Sequence, residues 1–230
     1  MRFIAILCLL LTQAVFSQSK GTRTCRIVFL GGGENDPQKL FLFDGKKAQE
    51  VDLPRMNFSE TYSVAGGPLT IRLLKSAPVE GQPINEKAPV AKLTEGTDDF
   101  YLLVSPDPSN KFVPVRLQVI DASAQKFKAG HMLWYNLTAN DVGGQVGEQK
   151  LVIRGRSKLI LDPPTSKNED FPVNLSYSIP KKEGLYPLCE TRWTHDPRAR
   201  TVLFIVNEPG SRAPRVLGFP DHREDSGKNQ

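Results

Sequence analysis

The sequence predicts an all-β protein, and three observations support this. Apolar and polar residues alternate in several segments, most regularly in 173–179, where the odd positions are apolar and the even ones polar. Gly and Pro number 18 each in 230 residues, together about 16% against an ordinary ~12%, which favours many short turns. Few windows carry the i, i+3, i+4, i+7 apolar spacing of an amphipathic helix. The chain is therefore predicted to consist of strands joined by turns.

The first segment predicts export. Residues 1–17 contain one basic residue, Arg2, then an apolar run over 3–11, then small residues before a cleavage point after Ser17. The run is shorter than the ~20 apolar residues that span a membrane. We therefore predict a signal peptide over 1–17, a secreted or periplasmic protein, and no transmembrane segment.

Strand positions follow from the apolar patterns. Segments that are apolar on both faces predict central strands, and alternating segments predict strands with one buried face. Asp44-Gly45 predicts a hairpin turn after the first central strand, because Gly tolerates the positive φ of tight turns. The predicted central strands are 40–43, 100–104 and 202–206, and the further alternating strands are 70–73 and 115–119.

Two more glycine-containing turns, 65–68 and 154–156, predict hairpins that resemble each other. The segment 26–43 is echoed by 116–135, which indicates an internal repeat. The joint between the repeats is predicted at 105–110, which is rich in Pro and polar residues, as linkers are. One continuous sandwich is the alternative, because two strands joined by such a turn can be neighbours in one sheet.

The repeat predicts two tandem β-sandwich units. The first covers 24–105, and the second covers 112–220 with an extra hairpin in 171–193. Residues 221–230 have almost no apolar side chains and are predicted to form a disordered tail.

Several of these segments resemble a known class of proteins. The turn Asp44-Gly45, the strand Tyr62-x-Val64 and the stretch Gly66-Gly67-x-Leu69-x-Ile71 resemble small Ig-like or carrier-type β-sandwich domains of uncharacterised secreted bacterial proteins. The stretch from Phe100 to Asp121 is similar to the centre of such envelope proteins. The resemblance implies a fold and a compartment, and no catalytic residue comes with it.

Two cysteines, Cys25 and Cys189, follow the leader, in a compartment that permits disulfides. Without a nearby His cluster they cannot complete a four-ligand zinc site. Two alternatives stay open: the cysteines bridge distant parts of the chain, or both are buried thiols. No cofactor and no metal are predicted.

Arginines are concentrated near the end of a chain whose net charge is +5. From residue 192 to 223 there are six arginines and no lysine. Because a guanidinium fork suits phosphate and carboxylate groups, an anionic envelope polymer is one candidate ligand, and an ordinary solvated edge is the alternative. Nucleic acid is not predicted, since the leader directs the chain out of the cytoplasm. The candidate anion-binding residues are Arg192, Arg198, Arg200, Arg212 and Arg215.

Catalytic motifs are weak. His131, His195 and His222 lie far apart in the sequence. His195-Asp196 would be the best start for a hydrolase site, but the sequence contains no G-x-S-x-G nucleophile elbow. Neighbouring residues on a strand point to opposite faces, so these two side chains would not readily pair. The sequence therefore favours a protein that is not an enzyme.

Two further residue sets have either a purely structural or a functional interpretation. Trp134, Tyr135 and Trp193 predict core packing in preference to a sugar-stacking platform. Three N-x-S/T sites matter only in a host that glycosylates them, and they lie at Asn57, Asn136 and Asn174.

Two functions remain. The first is a non-catalytic secreted or periplasmic protein with a binding or scaffolding role in the cell envelope, with an envelope protein or an anionic polymer as partner. The second is a carbohydrate-binding module or a secreted hydrolase whose site lies in the sandwich loops.

Overall fold

A computed structural model of the chain describes residues 21–208, 210–211 and 213–222, and every regular element in that part is a β-strand. The all-β prediction is confirmed. The predicted signal peptide lies outside the described residues. In the described part, no helix is long and apolar enough to cross a membrane.

The sixteen strands form two consecutive sets of eight. The first set is β1 (Thr22–Phe29), β2 (Lys39–Phe43), β3 (Ala48–Asp52), β4 (Tyr62–Ala65), β5 (Leu69–Leu74), β6 (Val90–Leu93), β7 (Asp99–Pro106) and β8 (Val115–Asp121). The second set is β9 (Met132–Asn136), β10 (Asp141–Val146), β11 (Gln149–Ile153), β12 (Lys158–Leu161), β13 (Asp170–Ser178), β14 (Tyr186–Thr194), β15 (Ala199–Asn207) and β16 (Pro214–His222).

Each set builds one β-sandwich, and the two sandwiches share one topology. The first has sheets β4-β1-β7-β8 and β3-β2-β5-β6, and the second has β12-β9-β15-β16 and β11-β10-β13-β14. Adding eight to each strand number of the first sandwich yields the second. The parallel pair β1·β7 also recurs as β9·β15. The chain is therefore a tandem repeat of one eight-stranded sandwich.

The four sheets pack as four layers around three apolar cores. One core fills each sandwich, with Ile27 and Leu102 in the first and Trp134 and Leu203 in the second. A third core lies between β4-β1-β7-β8 and β12-β9-β15-β16, which we call the seam sheets, and we call their contact the seam. The seam core comprises Val28, Phe58, Tyr101, Leu103, Ile120, Ala122, Phe127, Leu133, Val202, Phe204 and Phe219.

The patterns that predicted central strands are confirmed. Segments 40–43, 100–104 and 202–206 lie in β2, β7 and β15, each of which has a neighbour on both sides in its sheet. The turn after β2 is also a hairpin, in which Gly45 has φ +91° and Asp44 Oδ1 accepts hydrogen bonds from the backbone of Lys46 and Lys47.

Both of the other predicted hairpins are wrong. The turn at 65–68 joins β4, which pairs with β1, to β5, which pairs with β2 and β6. The turn at 154–156 likewise joins β11 to β12, in different sheets. A glycine-rich turn reverses the chain equally well within a sheet and between the two sheets of a sandwich, so turn residues alone do not identify the partner strand.

The predicted boundary between the units is also wrong. The segment 105–110 ends β7 and leads into β8, which pairs with β7 in the same sheet, so the connection between the sandwiches is 122–131. The segment 116–135 therefore spans β8 and β9, and the true counterpart of β1 is β9. The hairpin of β13 and β14 is not extra, because it corresponds to β5 and β6.

The predicted tail begins too early. Asp221 and His222 complete β16, and Asp221 is only 1% exposed. Residues 223–230 lie outside the described part of the chain.

Candidate functional site

Period-two alternation determines which side chains face the seam. On β7, the residues that face the first core alternate with Asp99, Tyr101, Leu103 and Ser105, which face the second sandwich. On β8, Arg116, Gln118 and Ile120 share that orientation. The seam therefore has a charged end near Asp99, an apolar middle, and a second polar end near Ser105.

At the charged end, two arginines and two aspartates form a buried network across the sandwiches. Arg200 of β15 donates through Nη2 to Asp99 Oδ2 at 3.2 Å and to Asp221 Oδ2 at 3.0 Å. Arg26 of β1 forms an ion pair with Asp221 Oδ1, and the Tyr101 hydroxyl donates to Asp221 Oδ2. The Asp221 side chain is completely buried. Its charge is stabilised by these donors, since an unpaired buried carboxylate is costly.

The same arginine has neutral partners as well. Arg200 Nη1 donates to the carbonyl oxygens of Ala122 at 2.6 Å and Phe127 at 3.3 Å, both in the connection between the sandwiches. The guanidinium also lies over the rings of Tyr101 and Phe127, 5.8 and 5.4 Å from their centroids. Arg200 thus ties together the first sandwich, the connection and the second sandwich.

A cleft of about 450 Å³ opens beside this network. Its lining contains both acidic and basic side chains, Asp98 and Asp99 together with Lys128, Arg198 and Arg200. Arg198 is already engaged, because it donates to Asp196 through Nε at 3.1 Å and Nη2 at 3.0 Å. These hydrogen bonds lower the pKa of Asp196 to about 2. The arginines at the charged end are therefore paired with aspartates of the protein itself.

The opposite end of the seam holds a cleft of about 560 Å³ with a different charge pattern. Arg116 reaches it from the first sandwich and Arg156 from the second. Among the described residues that line this cleft there is no carboxylate. Hydroxyl and amide groups complete the polar lining, contributed by Ser105, Gln118, Tyr135 and Asn136. We call this cleft the arginine cleft.

Local structure holds Arg156 in place. Its backbone is left-handed, with φ +57°, and its N–H donates to Thr138 O at 2.8 Å. The preceding Gly155 packs so closely that a Cβ would lie 2.5 Å from Ala139 O. Buried Asn136 donates from Nδ2 to Asn140 O at 2.7 Å and Arg154 O at 3.1 Å, which joins the two loops. The turn that carries Arg156 is therefore tightly constrained.

Arg116 is positioned by strand geometry. It follows buried Val115 on β8 and so points to the seam side of its sheet. It contributes to the lowered pKa of Asp107, although the hydrogen bond from the Ser109 side chain contributes more. Sequence reasoning missed Arg116 as a site residue, because the polar face of an alternating strand is usually assigned to solvent.

The five arginines predicted to bind an anion do not form one patch. Arg200 is buried in the seam, where its guanidinium already donates to four partners. The prediction that it binds an external anion is therefore corrected. Arg198 is paired with Asp196 and Arg215 with Glu208, at 2.8 Å. Arg192 lies in the outer sheet and donates to Asp170 O at 3.0 Å. Arg212 lies outside the described residues.

The two cysteines lie in different sandwiches. Cys25 faces the core of the first, on β1, and Cys189 is a half-buried free thiol on β14 of the second. The structure has no bridge between them, and of the two predicted buried thiols only Cys25 is fully buried. Burial raises the pKa of the Cys189 thiol.

The histidines do not converge. His131 approaches Asp162 with Nε2 3.3 Å from Oδ1, His222 lies 3.8 Å from Asp196, and His195 is buried in the second sandwich. In the described part of the chain, no three His, Cys, Asp or Glu side chains are grouped as metal ligands would be.

The aromatic residues are divided between two places. Trp134 is fully buried and stacks on Trp193 with ring centroids 5.8 Å apart. Tyr135 faces the seam instead and accepts a hydrogen bond from Gln118. The three residues therefore form no common platform.

The N-x-S/T sites differ in accessibility. Asn136 is completely buried, whereas Asn57 and Asn174 are exposed. A glycan on Asn136 would therefore be incompatible with this fold.

No protein-family model matches the chain, and a comparison with curated proteins finds no match.

Proposed function

We propose that this protein is a non-catalytic, exported binding or scaffolding protein of the cell envelope, of the Ig-like kind that its sequence resembles. An anionic polymer is the ligand class that suits it best. The arginine cleft carries this proposal. Two arginines, one from each sandwich, line it, and its described lining contains no carboxylate.

The chemistry of the arginine cleft supports an anionic ligand. Guanidinium groups bind phosphate and carboxylate oxygens through charge-assisted hydrogen bonds. Neutral donors stand beside them in Ser105 and Gln118. Openings between domains are common ligand sites, and this one lies on the seam.

The fold supports a scaffolding role. The seam joins two sandwiches into one four-layered body through an apolar core and a buried ion network. A ligand in the arginine cleft would contact both sandwiches. Because the seam already holds the two sandwiches together, binding would not require a domain movement. The signal peptide predicted over residues 1–17 supports export.

The binding test uses fluorescently labelled polyphosphate and polygalacturonate at 50 and 200 mM salt. The double variant Arg116→Met, Arg156→Met is expected to bind at least one of them about tenfold more weakly than the wild type. Binding to the wild type should also weaken steeply with salt, because polyanion association releases counterions.

The matched control is Arg198→Met combined with Arg215→Met, which removes the same charge from two paired, exposed arginines. This control should retain most of the affinity. Equal loss in both double variants would show a general charge effect and contradict the assignment to the arginine cleft.

Export and catalysis have separate tests. The exported protein should begin at Gln18 by N-terminal sequencing; a mature protein that begins at Met1 would contradict export. Purified protein is expected to leave chromogenic ester, phosphate and glycoside substrates unchanged. Turnover of any of these substrates that is lost in Arg116→Met would show that the arginine cleft is an active site and would contradict the non-catalytic function.

A further inference from the structure

One edge of the second sandwich is a long strand with a free side. β14 has nine residues, and within the described part of the chain its only strand partner is β13. Its counterpart in the first sandwich, β6, has four residues and lies against β8, whereas β14 and β16 make no comparable contact. An edge strand presents a row of backbone N–H and C=O groups to which a further strand can pair.

The other edge strands carry features that oppose such pairing, and β14 does not. Short length, lysine and proline are the usual protections of a sheet edge. β6, β11 and β12 are short and each contains a lysine, and β16 contains Pro214 and Pro220. β14 contains no lysine, and its one proline, Pro187, lies beyond a bulge in the pairing with β13. The regular segment 189–194 is therefore open to a further strand.

The two faces of this segment differ in chemistry. Cys189 and Trp193 pack against the second core, so Thr191 between them shares the inner face. Glu190 and Arg192 lie on the outer face, and both are exposed. Arg192 donates through Nη2 to a backbone oxygen of β13, and no described side chain pairs with Glu190. The outer face of the edge thus carries one acidic and one basic residue, two positions apart.

A second copy of the chain fits this edge in one register. A two-fold axis perpendicular to the sheet makes two β14 strands antiparallel and pairs residues that share a face. An axis at Glu190 or at Arg192 would place like charges directly opposite each other, which destabilises the pair. An axis at Cys189 or Trp193 would leave fewer pairs within the regular segment. An axis at Thr191 places Glu190 opposite Arg192 of the second copy, and it does so twice.

The same register also matches the inner face. Thr191 meets Thr191 of the second copy, and threonine pairs stabilise antiparallel strands. Cys189 meets Trp193, and both side chains are half-buried in the single molecule. Pairing would remove more of their apolar surface from water. The five residues 189–193 are therefore complementary to themselves on both faces.

We infer that β14 pairs with β14 of a second copy about Thr191, which joins two four-stranded sheets β11-β10-β13-β14 into one of eight strands. A second copy supplies this complementary segment in the required register. One strand pair covers less than the ~1,200 Å² at which stable interfaces begin, so the dimer is weak and forms at roughly micromolar to millimolar concentrations.

Charge reversal tests the register by sedimentation of the purified protein at about 10 µM to 1 mM. Glu190→Arg turns two attractive pairs into two repulsive ones and should raise the dimer dissociation constant at least about tenfold. The double variant Glu190→Arg, Arg192→Glu exchanges the charges and should restore the wild-type dissociation constant within about threefold. Glu148→Arg makes the same change at an exposed turn of this sheet and is the matched control. It should dimerise like the wild type.

Cross-linking tests the same register without charge changes. Directly opposite residues have Cα atoms about 4.5–5.5 Å apart, within the range of a disulfide. In a Cys189→Ala background, Thr191→Cys should form a covalent dimer on mild oxidation, seen by intact mass and lost with reductant. Lys150→Cys, on the opposite edge of the sheet, is the control and should stay monomeric.

Unfolding midpoints identify variants that fail to fold, and the cross-link then decides. A protein that stays monomeric over this concentration range would overturn the dimer. An unchanged dissociation constant in Glu190→Arg, or no recovery in a folded charge-exchange variant, would overturn pairing about Thr191. Equal cross-linking of Thr191→Cys and Lys150→Cys would do the same. None of these measurements uses a polyanion, so they stand apart from the test of the arginine cleft.

Discussion

The two ends of the seam use arginine in opposite ways. At the charged end, Arg26 and Arg200 are neutralised by Asp99 and Asp221, and the Asp221 side chain is fully buried. In the arginine cleft, the exposed side chains of Arg116 and Arg156 meet no carboxylate in the described lining. The first arrangement stabilises the assembly of the sandwiches, and the second leaves positive charge available to a ligand. Arginine content alone would not have distinguished them.

The largest expected effect follows from breaking the charged end. Asp221→Ala leaves Arg26 and Arg200 without their shared partner in a buried site, so the free energy of unfolding should fall by about 3–5 kcal/mol. Arg116→Met at the other end should change it by less than about 0.5 kcal/mol. Urea denaturation of both variants measures the contrast, and similar losses would show that the two ends are not different.

The apolar middle of the seam is the next region to test. Leu103→Ala removes a side chain that is 1% exposed, and the resulting cavity should cost about 2–5 kcal/mol. Val152→Ala on the outer sheet, where the side chain is 61% exposed, serves as the control and should be nearly neutral. A single unfolding transition in both variants is expected, because the sandwiches share the seam. Two separate transitions in the wild type would mean that the seam does not couple them.

A pair of tyrosines sharpens the comparison. Tyr101→Phe removes the hydroxyl that donates to Asp221 and should cost about 1–3 kcal/mol, as expected for a hydrogen bond to a charged group. Tyr135→Phe removes a hydroxyl that accepts from Gln118 in the arginine cleft. Since water can replace that partner, the second loss should be smaller. The same denaturation experiment decides the order of the two variants, and the reverse order would contradict the assignment of the buried network.

The smallest expected effect concerns pH and the buried His195. Burial lowers the pKa of His195, so the unfolded chain takes up the proton first as pH falls below about 6.5. Stability should therefore decrease between pH 7.5 and 5.5, and the decrease should be smaller in His195→Phe. The difference between the two proteins isolates this histidine from the carboxylates. An identical pH dependence in both would contradict the lowered pKa.

Local patterns predicted the strands well, because successive side chains of a strand point to opposite faces and burial of one face in a sandwich produces an alternation of apolar and polar residues. The alternation in 173–179 corresponds to β13, where Phe171, Val173, Leu175 and Tyr177 are buried. The fully apolar segments 100–104 and 202–206 lie in strands that are buried on both faces, one face in a sandwich core and the other in the seam. The turns at 65–68 and 154–156 were misassigned, since a turn specifies a reversal of the chain and not the strand that pairs with it.

The functional residues were harder to predict, because their roles depend on distant partners. The sequence predicts Arg200 as a candidate anion-binding residue, whereas its environment is set by Asp99, 101 residues earlier in the chain, and by Asp221. Asp221 was assigned to a tail, since its neighbours in sequence are polar. Neither residue has a local signal that distinguishes a buried partner from a solvated one.

The sequence by itself determined the all-β class and the central strands, because these depend on the order of apolar residues along each strand. It indicated a repeat but paired the wrong segments, since 116–135 spans β8 and β9 and the counterpart of β1 is β9. Only the tertiary structure decided that the second faces of β7, β8 and β15 meet in a seam, that Arg200 is neutralised there, and that Arg116 and Arg156 line the same cleft. The physical reason is that alternation identifies the two faces of a sheet. What packs against the second face depends on contacts between residues far apart in the chain.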